Sequence, residues 1–213
     1  LINELKADIP DYRIKEAKKL VSILGEEIEL EYPWNEKMKP STDNKIEGVL
    51  RKTWRPALSI VGANGLPPSE NAGNVLRPYT ELQLSIRIPP LVNHKKAKEA
   101  IFAVLTESPP YDAKISLTFD EPASGWNAPE TKDWLSKSIM KASKCFFKEP
   151  SCSLGEGGTI PFMAMLGEQF PEAQFVITGV LGPGSNAHGP NEFLHIPYAK
   201  KLTACIALIL RDF

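Results

Sequence analysis

The sequence predicts a mixed α/β protein: a ferredoxin-like α+β sheet domain with helices on one face, followed by part of an α/β domain. Three observations predict it. Thr80 to Ile88 alternates strictly, with Leu82, Leu84, Ile86 and Ile88 on one side and Glu81, Gln83, Ser85 and Arg87 on the other. That is the period of a half-buried strand. Periodicity between residues 14 and 119 runs helix, strand, strand, helix, strand, which suits a sheet covered on one face. The composition then changes at Pro122 to Pro129, and the residues beyond it look like half of an α/β domain.

Taken in order, Ile14, Ala17, Leu20, Val21 and Leu24 form a helical stripe with a lysine-rich outer face, and Gly25 stands where a C-cap belongs. Residues 31–48 hold two Pro and three Lys with few periodic apolar positions and read as an irregular connection. Residues 49–61, from Val49 through Trp54 to Val61, read as a strand, with Pro56 marking an edge or bulge. Gly62 to Gly73 is a loop. Residues 94–106 read as a helix buried along Ala97, Ala100, Ile101, Val104 and Leu105. Lys114 to Phe119 reads as another alternating strand. Residues 130–147 read as a helix with Trp134, Leu135, Ile139, Ala142 and Phe146 inward. The run 174–181 reads as a buried strand, and Ile196 to Leu210 as a buried helix.

Bulk composition narrows the function classes. The chain has 213 residues, 42% hydrophobic and 24% charged, as in ordinary globular proteins. With 25 basic and 26 acidic side chains it offers no electrostatic case for nucleic acid or an anionic membrane. No apolar run reaches the roughly 18 residues needed to cross a bilayer; the C-terminal segment carries Lys200 and Lys201. Cys145, Cys152 and Cys205 form no C-x-x-C pair and read as free thiols in a reducing cytoplasm. The opening Leu1-Ile2-Asn3-Glu4-Leu5 reads as an internal piece of a longer chain.

Four groups invite chemistry. His188 lies in Gly182-Pro183-Gly184-Ser185-Asn186-Ala187-His188-Gly189, where small neighbours leave room for an ion on the ring. The alternative, which the local features alone favour, is a loop histidine that caps a helix or bonds backbone. Gly157, Gly158 and Thr159 offer donors for a carboxylate or phosphate, with Glu156 beside them, or form an ordinary turn. Arg87 on its polar strand face is a fork for a carboxylate or a solvated side chain. Asn64 and Asn74 suit turn chemistry. The pairs Cys145/Cys152 and His188/His195 lack the short spacings of structural zinc modules.

The ordered set resembles the di-zinc metallopeptidase family of carnosine-type dipeptidases, glutamate carboxypeptidase, succinyl-diaminopimelate desuccinylase and aminoacylase. The resemblance rests on Arg55 to Gly65, Gly73-Asn74-Val75-Leu76, Ser85-Ile86-Arg87-Ile88-Pro89, Glu156-Gly157-Gly158-Thr159-Ile160-Pro161 and Asn186 to Glu192, and covers most of residues 45–213. It implies a zinc-peptidase catalytic domain interrupted by a lid. Residues 1–45 would come from the preceding catalytic half, 46–122 would be the lid and dimerisation domain, and 123–213 the C-terminal catalytic half. The implied reaction is hydrolysis of a peptide or N-acyl amide bond beside a free carboxylate, with two zinc ions in the complete enzyme.

Within that family, His188 is implied as the terminal ligand of one zinc, with Arg87 and Asn74 on the substrate. Gly157, Gly158 and Thr159 would line the carboxylate pocket, with Glu156 behind them. The implied partners are a peptide or N-acyl amino acid and a second copy of the chain through the lid. The family's H-x-D motif is absent: His94, His188 and His195 are followed by Lys95-Lys96, Gly189-Pro190 and Ile196-Pro197. Glu26-Glu27 follows a lysine-rich helix and reads as surface charge rather than the family's Glu-Glu pair. Val61 stands where the dipeptidase branch has a lid histidine, and Gly155 where it often has Arg. The chain by itself is therefore expected to be inactive. The competing expectation is a non-enzymatic ferredoxin-like dimerisation or ligand-binding module.

Overall fold

The computed structural model describes residues 2–30, 32, 34–156, 161–182 and 184–213, with the side chains of 30 and 161 left out. The chain divides into two units. The first holds residues 2–8 and Arg51–Trp126; the second holds Ile9–Leu50, Asn127–Glu156 and Phe162–Phe213.

In the first unit, strands β1 (Ala57–Asn64) and β2 (Glu81–Arg87) pair antiparallel, from Ala57 opposite Arg87 to Asn64 opposite Glu81. The register shifts between Ile60 and Gly62, so Val61 is the extra residue of a β-bulge. Opposed residues share a face, so Leu58, Ile60, Leu84 and Ile86 make one apolar side. Leu58 and Ile60 nevertheless stay 62% exposed. The connection turns at Gly65, φ +77°, where an added Cβ would collide with the Tyr79 carbonyl oxygen. Asn64 Nδ2 donates to Glu81 Oε2 at 2.8 Å across the mouth of the hairpin. Helix α4 (His94–Thr106) starts at Asn93, whose side chain accepts from the Lys95 and Lys96 amides. It buries Ala97 and Ile101, while Val104 faces solvent.

The second unit is helical among the described residues. Helix α1 (Asp11–Leu24) buries Ala17 and Leu20 and ends at Gly25, φ +56°, whose amide donates to the Val21 carbonyl. Arg13 ties α1 to residues 127–128: Nε donates to Asn127 Oδ1 at 3.0 Å and Nη2 to the Ala128 carbonyl at 2.5 Å. Helix α2 (Glu27–Leu30) is one turn, and Glu26 just before it pairs with Lys45. Helix α3 (Lys45–Trp54) bridges the boundary between the units. Helices α5 (Asp133–Phe146) and α7 (Ile196–Asp212) pack on each other around Leu135, Ala142, Cys205 and Ile209, with Ile139, Phe146 and Ile206 at the margin. Burial pushes the Cys205 thiol up, and Cys145 adds to it. All three cysteines are free. Helix α6 (Pro161–Gln169) completes the unit.

The structure corrects several element assignments. Residues 49–54 are helical, not strand. Val49, Leu50 and Trp54 are each buried along α3, so the 3.6 period wins. Pro56 disfavours helix at Arg55 and ends it there; the bulge sits at Val61, not Pro56. Residues 114–119 keep their alternation, with Leu117 and Phe119 half-buried, but join no sheet among the described residues. Lys98 Nζ covers the Phe119 ring at 5.3 Å instead. The run 174–181 is likewise neither strand nor buried; Ile177 and Leu181 are each 57% exposed. An apolar run becomes a buried strand only when neighbouring strands pair its backbone and cover it, and among the described residues this run joins no sheet. Helix α7 is buried on one face only, with Leu210 outward.

Candidate functional site

The His188 loop runs between the exposed 174–181 segment and α7. It is braced internally. Ser185 is only 2% exposed. Its hydroxyl donates to the Gly182 carbonyl at 2.6 Å and accepts from the Gly182 amide at 2.9 Å. Its carbonyl accepts from the Phe193 amide at 3.2 Å. Asn186 Nδ2 donates to the Pro190 carbonyl at 2.6 Å, and the Gly189 amide donates to the Asn186 carbonyl at 2.9 Å. A Cβ on Gly189 would meet the Asn186 side-chain amide at 2.6 Å, so a larger residue there would have to displace that side chain from the Pro190 carbonyl.

His188 itself has φ +60° and is exposed, and its amide donates to Glu192 Oε2 at 3.2 Å. Its ring differs from the other two imidazoles. His94 Nδ1 lies 2.5 Å from Ser124 Oγ. His195 Nδ1 accepts from the Tyr198 amide at 3.1 Å and caps α7. Among the described residues neither ring nitrogen of His188 has a hydrogen-bond partner, and both are open to a ligand.

The other sequence-predicted residues are spread over both units. Arg87 ends β2 on its polar face, opposite Ala57, and is exposed. Asn74 is exposed at the centre of a tight turn, in which the Val75 amide donates to the Gly73 carbonyl at 2.9 Å. Arg87 and Asn74 belong to the first unit, and Glu156 and His188 to the second. Glu156 is exposed. Gly157, Gly158 and Thr159 lie outside the described residues. Sequence reasoning does not single out Ser185 and Glu192. A serine and a glutamate in a polar loop read as solvated, and their one signal is nearness to His188.

A metal centre needs several donors on one ion. Among the described residues no group of three or more His, Cys, Asp or Glu side chains is placed to hold one. No helix among the described residues is long and apolar enough to cross a membrane.

Comparison with known proteins gives this geometry a context. No protein-family model matches the chain. A cysteinylglycine-S-conjugate dipeptidase of Corynebacterium striatum is 28% identical over 156 residues, 68% of this chain and 33% of that protein. Human carnosine dipeptidase 1 matches all of this chain with 45% of its own, at TM-score 0.76 and 20% identity. An M20 family metallo-carboxypeptidase from Sulfolobus solfataricus matches 98% of the chain with 46% of its own, at TM-score 0.71 and 17% identity. The di-peptidase Dug1p of Saccharomyces cerevisiae matches all of it with 44% of its own, at 0.67 and 19%. The chain spans a third of the length of its curated relative and under half of each of these structures. The fold is therefore that of a part of these larger structures, with a small sheet and flanking helices. Together with the dipeptidase relative, it supports the resemblance to the M20 dipeptidase family over a partial domain.

Proposed function

We propose that the chain forms the lid and the C-terminal catalytic half of a zinc-dependent metallohydrolase that cleaves a peptide or N-acyl amide bond beside a free carboxylate. The observation that carries this reading is His188: an exposed imidazole with both nitrogens uncommitted, on a braced loop, in a chain whose fold recurs in dipeptidases. Such a ring supplies one ligand. The bound metal would acidify a water and polarise the amide. Among the described residues no group of three or more His, Cys, Asp or Glu is placed to hold a metal, and the sequence has no H-x-D motif, so the 213 residues alone are expected to be inactive.

The chain's own contribution is then recognition. Arg87 presents a planar fork that matches a carboxylate with two parallel hydrogen bonds. Asn74, exposed at its turn, donates to and accepts from a substrate amide. The family resemblance adds Gly157, Gly158 and Thr159 as donors to the same carboxylate, with Glu156 beside them in sequence. The lid spans about residues 46–122. The exposed apolar side of its hairpin, with Leu58 and Ile60 outward, supports pairing of two copies there. The same surface favours the competing reading of a non-enzymatic dimerisation module. A cytoplasmic setting fits the three free thiols.

Zinc titration followed by imidazole NMR separates these readings, because the chain has only three histidines. The His188 ring resonances are expected to shift first, with His94 and His195 lagging because each has one nitrogen engaged. Leading shifts at His94 or His195 would remove His188 as the ligand. Light scattering after size exclusion tests the pairing. A dimer in which no histidine responds to zinc supports the module instead.

A further inference from the structure

We propose that Ser185 and Glu192 are positioning residues for His188, closing its loop at two points and so fixing the direction in which the imidazole leaves the backbone. The inference rests on reading His188 as a metal ligand. Ser185 is the buried polar residue of the loop, and a buried hydroxyl is tolerated only when its hydrogen bonds are made. Here it is satisfied twice by one residue, giving to the Gly182 carbonyl and taking from the Gly182 amide. Its own carbonyl holds the Phe193 amide. One residue thereby joins the start of the loop to its end.

The second closure acts on the histidine itself. A non-glycine residue at φ +60° sits in a region that L side chains rarely adopt, and it persists only where its surroundings hold it. The Glu192 carboxylate takes the His188 amide hydrogen, an ion-to-amide bond directed at the residue that needs holding. Asn186 and Asn191, at φ +55° and +60°, are of the type that enters this region most easily. None of these bonds uses the imidazole, so they hold the backbone from which the ring leaves and engage neither of its nitrogens. A ligand that must meet an ion within a few tenths of an ångström gains from such pre-orientation.

The test uses the full chain as wild type, Ser185→Ala, Ser185→Thr, Glu192→Ala and Glu192→Gln. Amide exchange and relaxation are read at Gly182, His188 and Phe193. Ser185→Ala is expected to lower protection of the Phe193 amide about tenfold, the scale of one hydrogen bond, and to loosen His188. Ser185→Thr, which keeps the hydroxyl, restores both. Glu192→Ala loosens His188, while Glu192→Gln, which keeps an acceptor oxygen, holds it. His188 order unchanged in both alanine variants overturns the proposal and leaves the ligand assignment intact. A His188 ring indifferent to zinc in the unaltered chain overturns the ligand assignment, and this proposal with it.

Discussion

The α5–α7 pair and the run 174–181 are both strongly apolar, yet only the first is buried. Leu135 and Ala142 on α5 meet Cys205 and Ile209 on α7, because each helix brings its own stripe and its own satisfied backbone. The run 174–181 brings strand-forming side chains but no ladder, and Ile177 and Leu181 face outward. A helix completes its hydrogen bonds within itself, and a strand borrows its partners. A chain that covers part of an α/β fold can therefore bury its helical pairs while its strand segments stay open.

The comparison breaks most sharply at Leu135, 2% exposed at the centre of the helix pair. Leu135→Ala is expected to destabilise the chain by about 2–5 kcal/mol in urea titration. Val176→Ala in the open run should change the stability by no more than about 0.5 kcal/mol. Equal losses at the two positions would mean that the run is as well packed as the helices. Gly65→Ala comes next. Its positive φ and the nearby Tyr79 carbonyl predict a loss above about 1 kcal/mol, against a neutral or slightly favourable Gly73→Ala, where nothing lies within 4 Å.

A smaller effect sharpens the α5–α7 side. Hydrogen bonds from Lys141 and then Arg211 hold the Asp212 carboxyl down at about 2; Ser138 Oγ adds another, and partial burial opposes them. The folded value lies below the ordinary 3.8, so the stabilisation is present above about pH 4 and is lost as pH falls through about 2. Denaturation of wild type and Asp212→Asn should differ at pH 5 and converge by pH 2. Added salt should narrow the gap at pH 5, since Lys141 and Arg211 are exposed.

Legibility in the sequence divides along the same line. Helix α4 and strand β2 are legible nearly to the residue, because each carries one uninterrupted period. The border at 49–61 misleads because Val49 and Trp54 satisfy both a helix face and a β-rich composition. Arg55-Pro56 is the signal that places the break. The runs 114–119 and 174–181 are legible as apolar segments, but pairing is a property of neighbours and is not written locally. At the site, the His188 loop is legible from its small residues and from the ordered motifs around it. Its bracing through Ser185 is not, since nothing local distinguishes a buried loop serine from a solvated one.

The central claim is that His188 is one ligand of a metal site that these 213 residues do not complete. Its most direct test is amide hydrolysis of a dipeptide and an N-acyl amino acid by a preparation shown by mass spectrometry to contain only these residues, with zinc added. The expected result is turnover no greater than the zinc blank, with or without His188→Ala. Turnover that scales with chain concentration and disappears in His188→Ala would contradict the claim, because the chain would then hold a complete site.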